Sequence, residues 1–294
     1  DNLLPDAELI RKRVQDRFHT ESRDAFDLLA AIGRDCVGAV QLLPSGEQSR
    51  DVHVIDAAPL SEADVERALI QTVAPASVAD RKPADDDFRI SIAGAQEKTA
   101  FLHHDGKWCR PRGATPTTHI FKLPLGLVGG MQADMRTSVE NEWLCARILG
   151  AYGIEGAHCD IHCFGKHKVL VVERFDRRFA ADRQWIMRLP QEDFCQATAT
   201  PPALKYLSDG GPGIVEIMDI LLGSERAVDD RMSFLKTQLV FWLLCAIDGG
   251  VGGRIDDDLR RQFLDPLPQA AQITYVDGQR DARFGIDETI GSQH

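Results

Sequence analysis

The order of strand-like and helix-like segments is the feature that most constrains the fold of this chain. From residue 88 onward, short strand-like runs come first, in "FRISIAG", "KTAFLHHDGKW" and "THIFKLP", and Asp105-Gly106 marks a hairpin turn in the second run. One amphipathic helix follows in "SVENEWLCARILGAYG", with Ser138 as its expected cap. The buried strand of "HKVLVVERFDRRF" comes next, and the remainder is mostly helical, with a helix expected from Ser233 to Asp248. This order predicts an α+β protein with a smaller sheet-bearing N-terminal lobe and a mainly helical C-terminal lobe.

Two further helices are predicted before the sheet. The first follows Pro5 and Asp6, where apolar residues recur at helical spacing. The second lies in "SEADVERALIQTV", where we expect Ser61 to cap the helix and Asp64 to complete a capping box. The composition then changes to Ala, Pro and Asp in "APASVADRKPADDD", which indicates a linker and a boundary near residue 85.

Composition restricts the possible partners and compartment. With 34 Lys and Arg against 45 Asp and Glu, the net charge of -11 argues against broad, non-specific binding to DNA or anionic lipid. The longest apolar run, residues 239–247, is far shorter than the roughly 20 residues that span a bilayer, and no leader sequence is apparent. Seven cysteines without a disulfide pattern predict reduced thiols, so we expect a cytoplasmic protein.

Lys122, in "THIFKLP", is a charged residue among apolar strand residues. It is either an outward-facing lysine or a lysine that faces a cleft and binds phosphate, as in kinase-like folds. In the second case a helix glutamate supplies the counter-charge, and Glu140 and Glu142 are the candidates. The residues by themselves do not decide between the two interpretations.

Four other stretches also permit two interpretations each. "SIAGAQEKT" is a plain hairpin turn or a loop that brings amides close to phosphates, although its single glycine excludes a Walker loop. "VVERFDRR" is a hinge or a strand that ends at the surface, and the residues alone favour the surface. "HCDIHCFGKH" is a metal site or, as its alternation favours, a strand. "LSDGGPGI" is an anion-binding loop or a simple entry into the helix of residues 214–222.

Asp248 ends the apolar helix of "KTQLVFWLLCAIDGG". A carboxylate at this end of a helix meets the negative end of the helix dipole, which is unfavourable. An unfavourable residue at such a position hints at a functional role.

Together these stretches resemble the HipA-type serine/threonine-protein kinase toxins of bacterial HipBA toxin–antitoxin systems. The resemblance lies in "DNLLPD", "FDLLAAIGRDCVGAV", "DFRISIAGAQEKTAFL", "TPTTHIFKLP", "ENE", "VERFDRR", "RLPQEDFCQA", "KYLSDGGPGI" and "LLCAIDG". It implies a two-lobed protein-kinase-like fold. Residues 1–85 would form an N-terminal subdomain that we expect to be shortened at its start, 86–172 the nucleotide-binding lobe, and 173–294 the helical catalytic lobe.

The resemblance also implies roles for individual residues. Asp248 matches the catalytic base, Lys122 the lysine that binds the ATP phosphates, and Ser91 the serine whose autophosphorylation inactivates such kinases. The loop over the phosphates corresponds to Ala93, Gly94, Ala95, Gln96, Glu97 and Lys98. The hinge that receives adenine corresponds to Glu173, Arg174 and Phe175.

The implied cofactors are ATP and Mg²⁺, and the implied substrate is a serine of a protein, with glutamyl-tRNA synthetase the first candidate. Its phosphorylation would inhibit translation and cause growth arrest and persistence. The implied partner is a HipB-like helix-turn-helix antitoxin, which would connect the chain to operator DNA indirectly.

The sequence departs from the family pattern after Asp248-Gly249. The family continues with His, Ala, Lys and Asn and then a second Asp, of which the Asn and that Asp bind magnesium. This chain continues with "GVGGRIDDDLRRQFL", and residues 249–294 match no pattern of the family. Asp256, Asp257 and Asp258 are possible metal ligands, but their spacing does not fix a geometry, so the metal ligands stay unknown. A catalytically inactive pseudokinase that acts as an antitoxin-binding co-repressor is therefore the alternative function.

Overall fold

The computed structural model of the protein describes residues 1–43, 51–73, 96–128 and 133–243, all within one compact unit. Its strands are β1 (Ala57–Pro59), β2 (Lys98–His104), β3 (Lys107–Pro111), β4 (His119–Lys122), β5 (Gly126–Val128), β6 (Ala133–Met135), β7 (Cys159–Phe164), β8 (His167–Glu173), β9 (Arg177–Phe179) and β10 (Ile186–Arg188). Six of them form an antiparallel sheet in the order β1-β3-β2-β4-β8-β7. The pairs β5–β6 and β9–β10 form two small ribbons.

The helices are α1 (Glu8–Phe18), α2 (Ala25–Ile32), α3 (Glu62–Val73), α4 (Ser138–Ala151), α5 (Phe194–Ala197), α6 (Ile214–Leu221) and α7 (Ala227–Leu243). The predicted helix after Pro5 is α1. The capping box before α3 is confirmed, because the Asp64 amide donates to Ser61 Oγ at 3.2 Å and the Ser61 amide donates to the Asp64 carboxylate at 3.1 Å. Helix α7 begins earlier than predicted, and its predicted end at Asp248 lies outside the described residues.

The hairpin between β2 and β3 turns at the predicted dipeptide. Asp105 and Gly106 have φ angles of 49° and 71°, and positive φ at both central residues matches the right-handed twist of the strands that they join. The predicted strand "FRISIAG" and the linker boundary near residue 85 lie outside the described residues. On either side of that gap, β1 and β3 pair in the same sheet.

Helices cover both faces of the sheet, and the alternation of residues along each strand decides which side chain faces which helix. Val65 and Leu69 of α3 pack in one cluster with Phe121 of β4. Leu170 of β8 packs on the other face against Val139 of α4. Because consecutive strand residues point to opposite faces, the residue after Phe121 faces α4. That residue is Lys122.

Ser138 does not cap α4, contrary to the prediction. The helix begins at Ser138, and Thr137 occupies the cap position without a side-chain hydrogen bond. Ser138 Oγ instead accepts a hydrogen bond from the Leu125 amide at 3.0 Å. The serine therefore fixes the start of α4 to the chain that leaves β4.

The cysteine and histidine cluster of residues 158–167 is a strand and its turn, as the alternation favours. Cys159 is buried against Val139 and Leu170, whereas Asp160 and His162 of the same strand are exposed. Within the described ranges, no three potential ligands come close enough together to hold a metal ion. In the same ranges, the model contains no helix of sufficient length and hydrophobicity to cross a membrane.

The helical segments pack in two places. Leu4, Leu28 and Ile32 form a core between α1 and α2. Farther along the chain, α6 packs on α7, with Ile217 and Val240 buried.

Candidate functional site

Two lysines lie directly opposite each other at one end of the central sheet. Lys98 begins β2 and Lys122 ends β4, and the two are partners in the antiparallel register. Residues that are paired in this way point to the same face, here the face that α4 covers. The pairing brings two ammonium groups together at this end of the sheet. Like charges directly opposite each other are unfavourable unless other groups stabilise them.

Lys122 has its counter-charge on α4. Its ammonium forms an ion pair with the Glu142 carboxylate, and both side chains are partly buried. Glu140, the other candidate, pairs with Lys168 of β8 instead. The partner on the helix is therefore Glu142, and Lys122 faces α4 rather than bulk solvent.

The pKa of Lys98 is lowered, mainly because the side chain is buried. Burial lowers the pKa of Lys98 to about 8, and the nearby Lys122 ammonium contributes to the same effect. Asp6 and Glu142 partly offset this decrease, whereas Lys205 adds to it. An anion that bound here would be attracted by the ammonium groups of Lys98 and Lys122.

The segment before β2 is held from two sides. Gln96 Nε2 donates to the carbonyl oxygen of Leu123 at 2.5 Å, and the Leu123 amide donates to the carbonyl oxygen of Glu97 at 3.2 Å. The Glu97 carboxylate forms an ion pair with Arg13 of α1. Burial nevertheless raises the pKa of Glu97, because the attraction of Arg13 offsets only part of the desolvation. Helix α1 is thus in direct contact with part of the predicted phosphate loop.

Lys205 lies in the turn between the two short helices of residues 202–204 and 207–209, and its charge acts on Lys98. Its Nζ lies 2.7 Å from the Asp6 carboxylate. A side chain at Gly211 would place Cβ only 2.7 Å from the Lys205 carbonyl oxygen, so the glycine permits a close approach of two backbone segments. In the described structure, the glycines of "LSDGGPGI" thus fold the chain back onto the turn that carries Lys205. We refer to Lys98, Lys122, Lys205, Glu142 and Asp6 as the lysine site.

Three charged residues after β8 are buried, so the predicted strand that ends at the surface holds for Glu173 but not for these three residues. Arg174, Asp176 and Arg177 are 3%, 3% and 7% exposed. Phe175, between them, is 68% exposed, and Glu173 is also exposed. The side chain of Arg174 is therefore engaged inside the protein, and only Glu173 and Phe175 of the predicted hinge present exposed side chains.

Asp35, just after α2, is the acceptor at the centre of this buried group. Its carboxylate lies 3.2 Å from Arg174, 3.0 Å from Arg177 and 3.3 Å from Arg188. Thr117 donates to it through both Oγ1, at 2.6 Å, and its amide, at 3.0 Å. We refer to Asp35, Arg174, Asp176, Arg177 and Arg188 as the arginine cluster.

Asp176 completes the cluster. It accepts two hydrogen bonds from Arg174, at 3.0 and 2.8 Å, one from Arg177 at 2.9 Å and one from the Gly38 amide at 2.7 Å. Although burial alone would raise it, the pKa of Asp35 falls to about 2, because Arg174, Arg177 and Arg188 stabilise its carboxylate. The segment after α2 is thereby fixed to the chain after β8.

The remaining predicted site residues are not described. Ser91, Ala93, Gly94, Ala95 and Asp248 lie outside the described residues, so their roles stay predictions. Two contributors that sequence reasoning missed are Asp35 and Lys205. Local sequence patterns could not reveal either one, because the bond between Arg174 and Asp35 joins residues 139 positions apart and the bond between Lys205 and Asp6 joins residues 199 positions apart.

Comparisons with known proteins agree with this architecture. The HipA-like C-terminal domain model matches residues 90–249, and the HipA N-terminal domain model matches residues 1–43. The chain is 34% identical over 218 residues to the protein Y4mE of Sinorhizobium fredii. The aligned region covers 73% of this chain and 49% of that protein. It is 29% identical over 213 residues to the serine/threonine-protein kinase toxin HipA of Shewanella oneidensis. Here the aligned region covers 72% of this chain and 45% of the toxin. The chain thus spans about half the length of these curated relatives.

A solved structure is also similar. The complex of Shewanella oneidensis HipA, HipB and its operator DNA contains a chain that matches with a TM-score of 0.64 and 25% identity, over 84% of this chain and 57% of that chain. This match and the mixed helix and sheet content confirm the predicted α+β, protein-kinase-like fold class. Since the C-terminal model alone covers more than half of the sequence, the chain belongs to the HipA-like family.

Proposed function

We propose that the protein is an ATP-dependent serine/threonine kinase of the HipA type. The observation that carries this proposal is the ion pair between Lys122 of β4 and Glu142 of α4. In kinase folds a strand lysine that pairs with a helix glutamate holds the phosphates of ATP. The names of the relatives, which include a serine/threonine-protein kinase toxin, support the same activity.

The charge of the site suits the triphosphate of ATP. Lys98 and Lys122 lie on one face of the sheet, so two ammonium groups could contact the phosphates. Lys122 would hold phosphate oxygens, residues 93–98 would cover the phosphates, and the exposed Phe175 and Glu173 would border the adenine. ATP, when bound together with Mg²⁺, supplies the phosphoryl group, and the residues that would hold the metal stay unassigned.

Asp248 is the proposed catalytic base. It would orient the hydroxyl group of a substrate serine and accept its proton while the serine oxygen forms a bond to the γ-phosphorus and the bond from that phosphorus to the leaving oxygen breaks. Ser91 is the proposed site of autophosphorylation, which would inactivate the kinase.

The proposed biological role is that of a toxin in the cytoplasm. We propose a protein substrate, with glutamyl-tRNA synthetase as the first candidate, so that translation and growth stop and cells persist. We also propose a HipB-like antitoxin as partner, which would connect the chain to operator DNA. The similarity to the HipA chain in a complex with HipB and operator DNA supports this partner.

Intact mass spectrometry tests the activity. The purified chain is incubated with Mg-ATP beside the variants Asp248→Asn and Ser91→Ala. We expect the wild type to gain one phosphate that maps to Ser91, and neither variant to gain it there. An unchanged mass of the wild type after prolonged incubation, with purified glutamyl-tRNA synthetase also unmodified, would reject the kinase.

An inactive pseudokinase that acts as a co-repressor is the second candidate. It is favoured by the sequence after Asp248-Gly249, which lacks the family's lysine and asparagine. The two candidates differ in whether the wild type transfers phosphate, because both are proposed to bind a HipB-like antitoxin. A chain that strengthens operator binding and never transfers phosphate would be the co-repressor.

A further inference from the structure

Phe175 lies in a short turn whose flanking side chains are anchored inside the protein. The Arg177 amide donates to the carbonyl oxygen of Arg174 at 3.3 Å, which closes the turn over residues 174–177. Arg174 and Asp176, on either side of Phe175, are each 3% exposed, whereas Phe175 is 68% exposed. Among the residues that the structure describes, none forms a hydrogen bond with the amide or carbonyl group of Phe175. These two backbone groups are therefore available to a ligand.

The buried side chains of this turn bind the segment just after α2. Arg174 and Arg177 each donate a hydrogen bond to the carbonyl oxygen of Cys36, at 3.0 and 2.6 Å. In the opposite direction, the Gly38 amide donates to the Asp176 carboxylate at 2.7 Å. The segment after α2 lies in the region that the N-terminal domain model matches, whereas the turn lies in the region of the C-terminal domain model. The contacts thus join the two family domains at the predicted hinge.

Gly38 occupies a position that favours glycine for two reasons. Its φ angle is 69°, in the left-handed region that side chains disfavour. A Cβ atom there would also lie only 3.0 Å from the carbonyl oxygen of Gln191 and 3.1 Å from its amide nitrogen. A side chain would therefore force one of the two backbones to shift and would disturb the amide that binds Asp176.

We propose that Asp35 and Gly38 are positioning residues for nucleotide binding, because they hold the turn of residues 174–177 in the conformation that receives adenine. This inference rests on the proposed binding of ATP with its adenine at the hinge. The amide and carbonyl groups of Phe175 would pair with one acceptor and one donor on the edge of the base. Neither positioning residue would touch the nucleotide, since both act through the buried side chains of the turn.

Loss of these contacts should weaken the binding of the base and spare that of the phosphates. Without its anchors the turn would sample several conformations, and binding would have to order it again. The phosphates are expected at Lys122, which pairs with Leu170 of β8, three residues before Glu173. A general loss of structure would instead affect the base and the phosphates alike. This selectivity distinguishes a positioning role from a merely structural one.

Isothermal titration calorimetry with Mg-ATP, Mg-GTP and inorganic tripolyphosphate provides the test. The variants are Asp35→Asn and Gly38→Ala. Ile217→Ala is the matched control, because it removes a buried apolar side chain from α6, in a different part of the core. Circular dichroism establishes that each variant is folded at the temperature of the titration, and Gly38→Ala decides the question if Asp35→Asn does not fold.

The two variants should lose affinity for the base selectively. We expect both to weaken ATP binding about tenfold and to keep tripolyphosphate binding within about twofold of the wild type. Their preference for ATP over GTP should also decrease, because the Phe175 carbonyl no longer selects the amino group of adenine. Ile217→Ala should leave all three affinities within about twofold.

Each contrary result has a separate meaning. If both variants leave ATP affinity unchanged, or weaken ATP and tripolyphosphate equally, the positioning role is overturned and the proposed kinase is left intact. A similar selective loss of ATP affinity in Ile217→Ala would assign the effect to general stability and would also overturn the role. A wild type that does not bind ATP would reject the proposed function and this inference with it.

Discussion

The arginine cluster and the lysine site both pair basic side chains with carboxylates, but the two regions differ in how deeply these side chains are buried. In the arginine cluster, two carboxylates and three guanidinium groups are almost completely buried and bonded to one another. In the lysine site, the ion-paired side chains are roughly 20–40% exposed. Buried charges need partners within the protein, whereas partly exposed charges are accessible to a ligand. Burial and partners within the protein distinguish a structural ion cluster from a candidate binding site.

The largest expected effect is on stability, in the arginine cluster. Asp35→Asn leaves three buried guanidinium groups without their central carboxylate, so we expect the free energy of unfolding to fall by about 3 kcal/mol or more. Urea denaturation followed by circular dichroism measures the loss. Glu8→Gln, which breaks an exposed ion pair with Arg23, is the control and should change the value by less than about 1 kcal/mol.

Asp35 also makes a pH-dependent contribution. Its pKa is lower in the folded protein, at about 2, than the ordinary value of 3.8, so its stabilisation is present above about pH 4 and is lost as the pH falls towards 2. The wild type should therefore lose more stability than Asp35→Asn over this interval. An equal acid sensitivity of the two proteins would contradict the central role of Asp35.

The next effect is on binding, in the lysine site. Lys122→Met should weaken ATP binding at least about tenfold, because it removes a charge-assisted bond to phosphate. The free energy of unfolding should change by less than about 1 kcal/mol, since both residues of the ion pair are partly exposed. Titration calorimetry and urea denaturation of the same sample measure the two quantities. A loss of stability as large as that of Asp35→Asn would mean that the ion pair of Lys122 is structural, like the arginine cluster.

A smaller effect concerns protons. The pKa of Lys98 is about 8, so near pH 8 about half of these side chains are deprotonated in the free protein. A bound polyphosphate favours the ammonium and raises this pKa, and binding should then take up as much as about half a proton. Calorimetry at pH 8 in two buffers of different ionisation enthalpy measures this uptake. Lys98→Met should abolish it, and a buffer-independent enthalpy for the wild type would contradict the binding of phosphate next to Lys98.

The smallest effect is expected at an exposed ion pair that belongs to neither region. Lys168→Met removes the partner of Glu140, and both side chains are more than a third exposed. Stability should change by less than about 1 kcal/mol and ATP affinity by less than twofold. A large change in either quantity would mean that charge anywhere on the α4 face matters, rather than charge at the lysine site.

Part of the site could be predicted from the sequence and part could not. Lys122 could be proposed because a lysine among apolar strand residues needs a partner. Its partner could only be narrowed to Glu140 or Glu142, because these residues point in different directions from the helix and the sequence does not give the rotation of α4. The buried state of Arg174 was not predicted, because Asp35, which neutralises it, lies 139 positions away.

The sequence by itself determined the local features of this protein. The positive φ angles at Asp105-Gly106, the capping box of Ser61 and Asp64 and the alternation along the strands depend on neighbouring residues. Only the tertiary structure decided which charges are buried together and which face a ligand. The physical reason is that an ion pair depends on distance in space and on exclusion of water, and both are set when segments far apart in the chain pack against each other.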